Sequence, residues 1–411
     1  MNNKRRVPIV VPILVILLIV TNIITFGLTN MMTLKSGEKV VVPRAEYEEL
    51  AATYQNFSKV LYIESLIKES YLREVDEDKF LDGQLKGVVQ SLGDPYSQYL
   101  TADEYKSFTE ETSGIYGGIG VVVTPGEDNF ITVVSPIEDT PGERAGLKSG
   151  DRIIKVDGEE FTADTMDEAV KVMKGKPNTK VTLTIMRKNK DGLNEMIDVD
   201  IIREKIRLVT VKSNIIDDNI GYIKITSFDE LTAKDFKKEL NKLEKTAVEG
   251  LIIDLRNNPG GLLDVCADIA DQLLGEGDIV YTQTKDGTKE YLRSDKGHTD
   301  LPLTLLVNNG SASASEILAG AVKDHNRGVL IGTTTFGKGV VQRIKPLKDG
   351  SGLKLTISEY FTPNGINIHG KGIEPDIVVE LPDDVDVIGV ENISGDIQLQ
   401  KALEVIKSKI K

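Results

Sequence analysis

The chain is poor in several residues that covalent or catalytic frameworks often use. Its 411 residues contain one cysteine, Cys266, so no intrachain disulfide can form. Cys266 follows Gly260-Gly261-Leu262-Leu263 in an apolar pattern and reads as a small core side chain. One cysteine leaves the redox compartment open. Basic residues are outnumbered, 50 Lys and Arg against 64 Asp and Glu, for a net charge of −14. That argues against nucleic acid as the main partner, because phosphate binding needs a basic face. There are only three histidines, His298, His325 and His369. Asp324 adjoins His325, but neighbouring helical side chains do not face each other. None of the three sits in a Ser-His-Asp pattern. Internal repeats and low-complexity tracts are missing as well. What remains is a globular composition, 40% hydrophobic and 28% charged, with room for two or three domains.

The N-terminus holds an uncharged apolar run from Val7 to Leu28, preceded by Lys4, Arg5 and Arg6. Its length matches a bilayer span of about 20 residues. The exit, Thr29-Asn30-Met31-Met32, is a poor signal-peptidase site. Residues 1–30 therefore read as an uncleaved transmembrane anchor, with a cleaved signal as the alternative. The basic cluster should stay inside and place the rest of the chain outside the cytoplasm.

Residues 31–112 read as helical, broken by turn chemistry at Gly93-Asp94-Pro95. They form a candidate dimerisation arm. From 113 to 203 the period shortens to that of strands, at Ile119–Val123, Ile131–Val134 and Val181–Met186. Met166, Ala169, Val170 and Met173 occupy one face of an intervening helix. With Gly146-Leu147 and Gly150-Asp151-Arg152-Ile153-Ile154-Lys155-Val156-Asp157-Gly158, this succession resembles a PDZ domain. In that reading Gly117, Gly118, Ile119 and Gly120 form a carboxylate-binding loop of backbone donors. A peptide would add beside Val121–Val123, with its last side chain against Ile119, Met166, Val170 and Met173. Residues 204–380 alternate strands and helices and predict an α/β core. Residues 381–411 form an acidic tail that ends in a helix from Asp396 to Ile410.

The chemistry centres on Ser313 and Lys338. Ser313 lies between the apolar strand Leu303–Val307 and the helix Ala314–Lys323, where a nucleophile gains from the helix dipole. A serine needs a base to take its proton. Lys338, flanked by Gly337 and Gly339, can serve if burial lowers its pKa. The Ala314 amide and one from Gly260 or Gly261 can form an oxyanion hole. Gln342 can orient the lysine amine.

The segments Gly93–Ser97, the PDZ stretch, Leu255-Arg256-Asn257-Asn258-Pro259-Gly260-Gly261, Gly310–Glu316 and Thr335–Gln342 resemble the carboxyl-terminal processing peptidases, which are tail-specific PDZ-serine proteases. The resemblance implies Ser313 as nucleophile, Lys338 as general base and Gln342 as the third member. It also implies a crotonase/ClpP-like α/β core with an inserted PDZ-like domain and helical segments at both ends. PDZ gating occurs in some members, and Asp324 matches an acidic position in the family's helix. No metal or cofactor is implied; the partners are proteins or peptides with accessible C-termini. Two other classes remain: a catalytically silent PDZ scaffold, which the intact Ser/Lys/Gln set opposes, and a crotonase-type acyl-CoA enzyme, which the PDZ segment and the lack of a basic CoA site oppose.

Overall fold

A computed structural model describes the backbone of residues 10–36, and both backbone and side chains of 12–28, 42–382, 385 and 387–410. The chain forms two compact units, Met1–Gly83 and Gln84–Lys411. In the first unit a helix spans Val10–Ser36 and another Arg44–Ser70. The described side chains at 12–28 are all exposed, and Arg44–Ser70 buries none of its residues. Lys4, Arg5 and Arg6 lie outside the described residues. Among the described residues no helix is long and apolar enough to cross a membrane, so the anchor rests on the sequence pattern alone.

In the second unit a six-stranded sheet forms the centre. Its order is Val211–Ile216, Ile220–Ile225, Gly250–Asp254, Leu303–Val307, Val329–Gly332 and Ile377–Val378, antiparallel at the first pair and parallel thereafter. Every residue of Gly250–Asp254 and Leu303–Val307 is buried, because both sheet faces are covered. On one face Leu251, Ile253, Leu303 and Leu305 pack with the helices Thr232–Lys245, Leu263–Asp271 and Ala314–Asp324. On the other, Ile220, Tyr222, Ile252 and Leu306 pack with Leu399, Ala402 and Ile406 of the helix Ile397–Lys409. The C-terminal helix is thus one wall of the core.

A second, antiparallel sheet contains Gln98–Leu100, Gly277–Thr284, Lys289–Ser294, Val340–Pro346 and Gly352–Phe361. The PDZ segment has its own core around Ile131, Ile153, Leu183 and Ile185. Its sheet starts at Val121–Pro125, an edge strand paired only with Ile131–Pro136. The chain enters and leaves this segment through one short ladder, Ile115–Gly118 against Glu204–Arg207.

Candidate active site

Two loops leave the carboxyl ends of adjacent parallel strands, Gly250–Asp254 and Leu303–Val307. That is where open α/β sheets place ligands. The loops are stitched together. The Asn257 amide donates to Asn308 Oδ1 (2.9 Å), and Asn308 Nδ2 donates to Asn257 Oδ1 (2.8 Å). The Ala312 amide and the Ser315 hydroxyl both donate to the Asn258 carbonyl, at 3.0 and 2.9 Å.

This stitching singles out one serine of the Ser311-Ala312-Ser313-Ala314-Ser315 run. Ser311 and Ser315 are fully buried, and their hydroxyls donate to the carbonyls of Leu255 (2.8 Å) and Asn258 (2.9 Å). Ser313 instead lines a cleft of about 410 Å³. It sits at φ 54°, directly before the helix Ala314–Asp324. A serine in that region carries strain of roughly 1–3 kcal/mol. The turn holds because Glu316, itself fully buried, accepts four hydrogen bonds. They come from the amides of Ser313 (2.8 Å), Gly337 (2.7 Å) and Lys338 (2.9 Å), and from the Thr335 hydroxyl (2.6 Å). One carboxylate therefore ties the serine elbow to the lysine loop. The Tyr360 hydroxyl adds a bond to the Ser313 carbonyl at 3.2 Å.

Gly260, Gly261, Ala314, Lys338 and Gln342 line the same cleft as Ser313. At Gly260 (φ 103°) a Cβ would lie 2.9 Å from the Ala314 nitrogen, and at Gly261 (φ 147°) 2.3 Å from the Phe228 carbonyl oxygen. Neither position admits a side chain. The Gly260 amide donates to Asn258 Oδ1 at 2.9 Å, so it is occupied in this arrangement. Among the described residues the amides of Gly261 and Ala314 have no protein acceptor; Ala314 begins its helix, where the first N–H groups have no intrahelical partner.

Lys338 is half-buried. Burial lowers its pKa below the ordinary lysine value; the charge of Lys354 lowers it further, while Glu316 and Asp94 oppose the shift. Among the described residues its ammonium makes no hydrogen bond or ion pair; it lies 5.1 Å from the centroid of the Tyr96 ring. Gln342 follows a register shift at Val341/Gln342, and its Nε2 donates to the Val340 carbonyl at 3.3 Å rather than to Lys338. Bulges next to active sites commonly re-aim side chains in this way. Serine, lysine and glutamine share one cleft without bonding to one another here.

Arg256, just before the Gly260-Gly261 pair in the chain, is fully buried, and its guanidinium makes five hydrogen bonds: two to Asp254 (3.0 and 2.6 Å), two to Asp396 (2.8 and 2.7 Å) and one to Gln398 Oε1 (3.0 Å). The Tyr222 hydroxyl donates to Asp254 at 2.7 Å. Burial alone would lower the Arg256 pKa, but Asp254 and Asp396 raise it. Sequence reasoning assigned no role to Glu316, Tyr360 or Asp396. Glu316 stands three residues after Ser313 and reads simply as an acidic residue in the first turn of a helix.

The histidines lie elsewhere. His369 packs edge-on to Tyr96 (6.0 Å), His325 Nε2 contacts the Asp278 carbonyl (2.8 Å), and none lines the Ser313 cleft. Asp324 is away from the cleft, accepting the Asn364 amide at 2.8 Å. In the PDZ segment Gly117 and Gly118 belong to the entry ladder, opposite Lys205 and Glu204. Among the described residues the Ile119 and Gly120 amides have no backbone acceptor. Ile119 and Met173 are buried in the PDZ core, whereas Met166 and Val170 are only partly buried against it.

A strained serine before a helix, glycine amides and a half-buried lysine share one cleft, a set of groups suited to serine hydrolase chemistry, in a chain that also carries a PDZ-like segment. Comparison with known proteins narrows the class. The Peptidase family S41 model matches residues 219–379, a PDZ domain model residues 132–187, and a model of the activating protease CtpB N-terminal domain residues 18–104. The chain is 43% identical over 329 residues to the carboxy-terminal processing protease CtpA of Bacillus subtilis, covering 80% of this chain and 70% of that one. It is 40% identical over 338 residues to the carboxy-terminal-processing protease of Bartonella bacilliformis, covering 80% and 76%. An S41 protease structure from Bacteroides fragilis shares the fold, with a TM-score of 0.53 at 18% identity, over 85% of this chain and 98% of that one. The chain belongs to peptidase family S41, the carboxy-terminal processing serine proteases.

Proposed function

We propose that the chain is an endopeptidase that cuts protein substrates near their C-termini through a Ser313–Lys338 dyad. The observation that carries this is the sorting of hydroxyls and cations. Of the serines at 311, 313 and 315, only Ser313 faces the cleft, and that cleft holds a lysine whose charge is destabilised by burial. Ser313 Oγ attacks the scissile carbonyl while neutral Lys338 takes its proton. The tetrahedral oxyanion is held by the amides of Gly261 and Ala314, which are preorganised and need no rearrangement. Lys338 returns the proton to the leaving amine, and water then resolves the acyl-enzyme. For this the lysine side chain rotates from the Tyr96 ring to Ser313, and Gln342 turns from the Val340 carbonyl to steady it.

The PDZ segment captures substrate tails at the Ile119–Gly120 amides and along the Val121–Pro125 edge, and capture biases the enzyme toward its cleaving arrangement. Equal cleavage of free-acid and amidated long substrates would remove this role. Val7–Leu28 anchors the chain with the catalytic part outside the cytoplasm, and the exposed apolar side chains of Arg44–Ser70 pair two copies. A reporter fused after Lys411 that is active only in the cytoplasm would overturn the orientation, and a monomeric solubilised protein would overturn the pairing.

The deciding experiment for the dyad is labelling with a fluorophosphonate probe. The intact protein should be labelled at Ser313, and the Ser313→Ala variant should be neither labelled nor active. Undiminished labelling of that variant would remove Ser313 as the nucleophile.

A further inference from the structure

The cleft contains a second lysine that the dyad does not use. Lys354 lies on the strand Gly352–Phe361, opposite Ile344 on one side and Gln98 on the other. Its side chain lines the same cleft as Ser313 and Lys338. Its Nζ lies 5.8 Å from the centroid of the Phe108 ring, on the helix Ala102–Ser113.

Lysines elsewhere in this unit show how a structural cation is treated. Lys86 pairs with Glu104 at 2.8 Å, and Lys174, also partly buried, with Glu110 at 3.3 Å. Among the described residues Lys354 forms no ion pair, although it is half-buried. Three charged groups line this cleft: Lys338 on the lysine loop, Lys354 on its strand, and Glu111 on the helix Ala102–Ser113. Glu111 is exposed and beyond ion-pair distance of Lys354. Burial lowers the Lys354 pKa, and Glu111 only partly opposes that. The cleft that holds Ser313 therefore presents an ammonium that, among the described residues, has no ion-pair partner. Peptide carbonyls are neutral and cannot balance it, whereas a carboxylate can, through a charge-assisted hydrogen bond.

We propose that Lys354 is a specificity-determining subsite of the cleft, receiving a carboxylate of the bound peptide and giving the enzyme a preference for acidic over neutral substrate segments. This deepens the Ser313–Lys338 reading and rests on it for the location of the reacting bond. The carboxylate can come from an aspartate or glutamate side chain near the cut, or from the substrate's own C-terminus.

The test is binding to the full-length Ser313→Ala protein, which holds peptides without cleaving them. Fluorescein-labelled peptides are compared in two pairs, one differing only by Asp against Asn and the other by a free-acid against an amidated C-terminus. At least one carboxylate member should bind about tenfold to a hundredfold more tightly than its neutral partner. Adding Lys354→Met should abolish that preference, Lys354→Arg should keep it, and Lys354→Glu should reverse it. The pair that responds identifies the source of the carboxylate. A preference that survives Lys354→Met, or no preference in either pair with Lys354 present, overturns the proposal. If Lys354→Met does not fold, the Arg and Glu variants decide the matter. Cleavage by protein with Ser313 intact separates the two readings: no cleavage but a Lys354-dependent preference overturns the dyad and leaves this subsite standing, and cleavage without the preference does the reverse.

Discussion

Arg256 and Lys338 lie at the same end of the central sheet, and both have been withdrawn from water, but the protein treats their charges in opposite ways. Arg256 meets five acceptors, matching the five N–H donors of a guanidinium, and its charge is reinforced. Lys338 meets no carboxylate side chain, and its charge is destabilised. A cation with every donor satisfied holds chain segments together, here the loop of Gly260 and Gly261 and the start of the C-terminal helix. A cation desolvated without a partner is ready to lose its proton. Glu316 bonds to the Lys338 backbone amide and not to its ammonium, so its charge only partly opposes the shift.

The largest expected effect comes from giving Lys338 the chemistry of Arg256. Lys338→Arg keeps a charge that cannot be lost near neutral pH, and peptide cleavage should fall by about 10⁴-fold or more. Lys338→Met should be equally inactive but slightly more heat-stable than the parent, because it removes a desolvated charge. The sign follows from the lowered folded pKa: the unfolded chain binds more protons in the window between that value and the ordinary one near 10.5. The parent should therefore gain stability as pH rises through the window, and Lys338→Met should lose that slope. Turnover by purified Lys338→Arg protein would break the comparison outright.

The second effect comes from making Arg256 as unpaired as Lys338. Arg256→Met leaves Asp254 and Asp396 buried without their cation, and denaturant unfolding should report a loss of about 3–5 kcal/mol. A fully stable, active Arg256→Met protein would show that the node positions nothing.

The smallest effect sharpens the comparison. The proposed dyad works only with neutral Lys338, so on that reading kcat/KM should rise with pH through its lowered pKa. Lys354 depresses that pKa and Asp94 raises it. Lys354→Met should move the rising limb to higher pH and Asp94→Asn to lower pH. Movement of both limbs in one direction would contradict the assignment of Lys338 as the titrating base.

Much of this was legible in the chain order. The continuous apolar runs at Gly250–Asp254 and Leu303–Val307 announced buried parallel strands. The shift to a period of two near Ile119 announced the PDZ segment, and the segments around Ser313 and Lys338 carried the resemblance to the family that the comparisons show. The second sheet was not legible, because strands such as Val340–Pro346 and Gly352–Phe361 mix charged and apolar residues without clean alternation.

The sequence by itself determined which groups could react and which strands would be buried, because nucleophile type, glycine placement and hydrophobic periodicity are local properties. Only the tertiary structure decided which serine of the run faces the cleft, that Glu316 joins the serine elbow to the lysine loop, and that Asp396, 140 positions from Arg256, completes its charge balance. Those outcomes depend on which distant donors and acceptors are buried together, and burial is settled only when the layers pack.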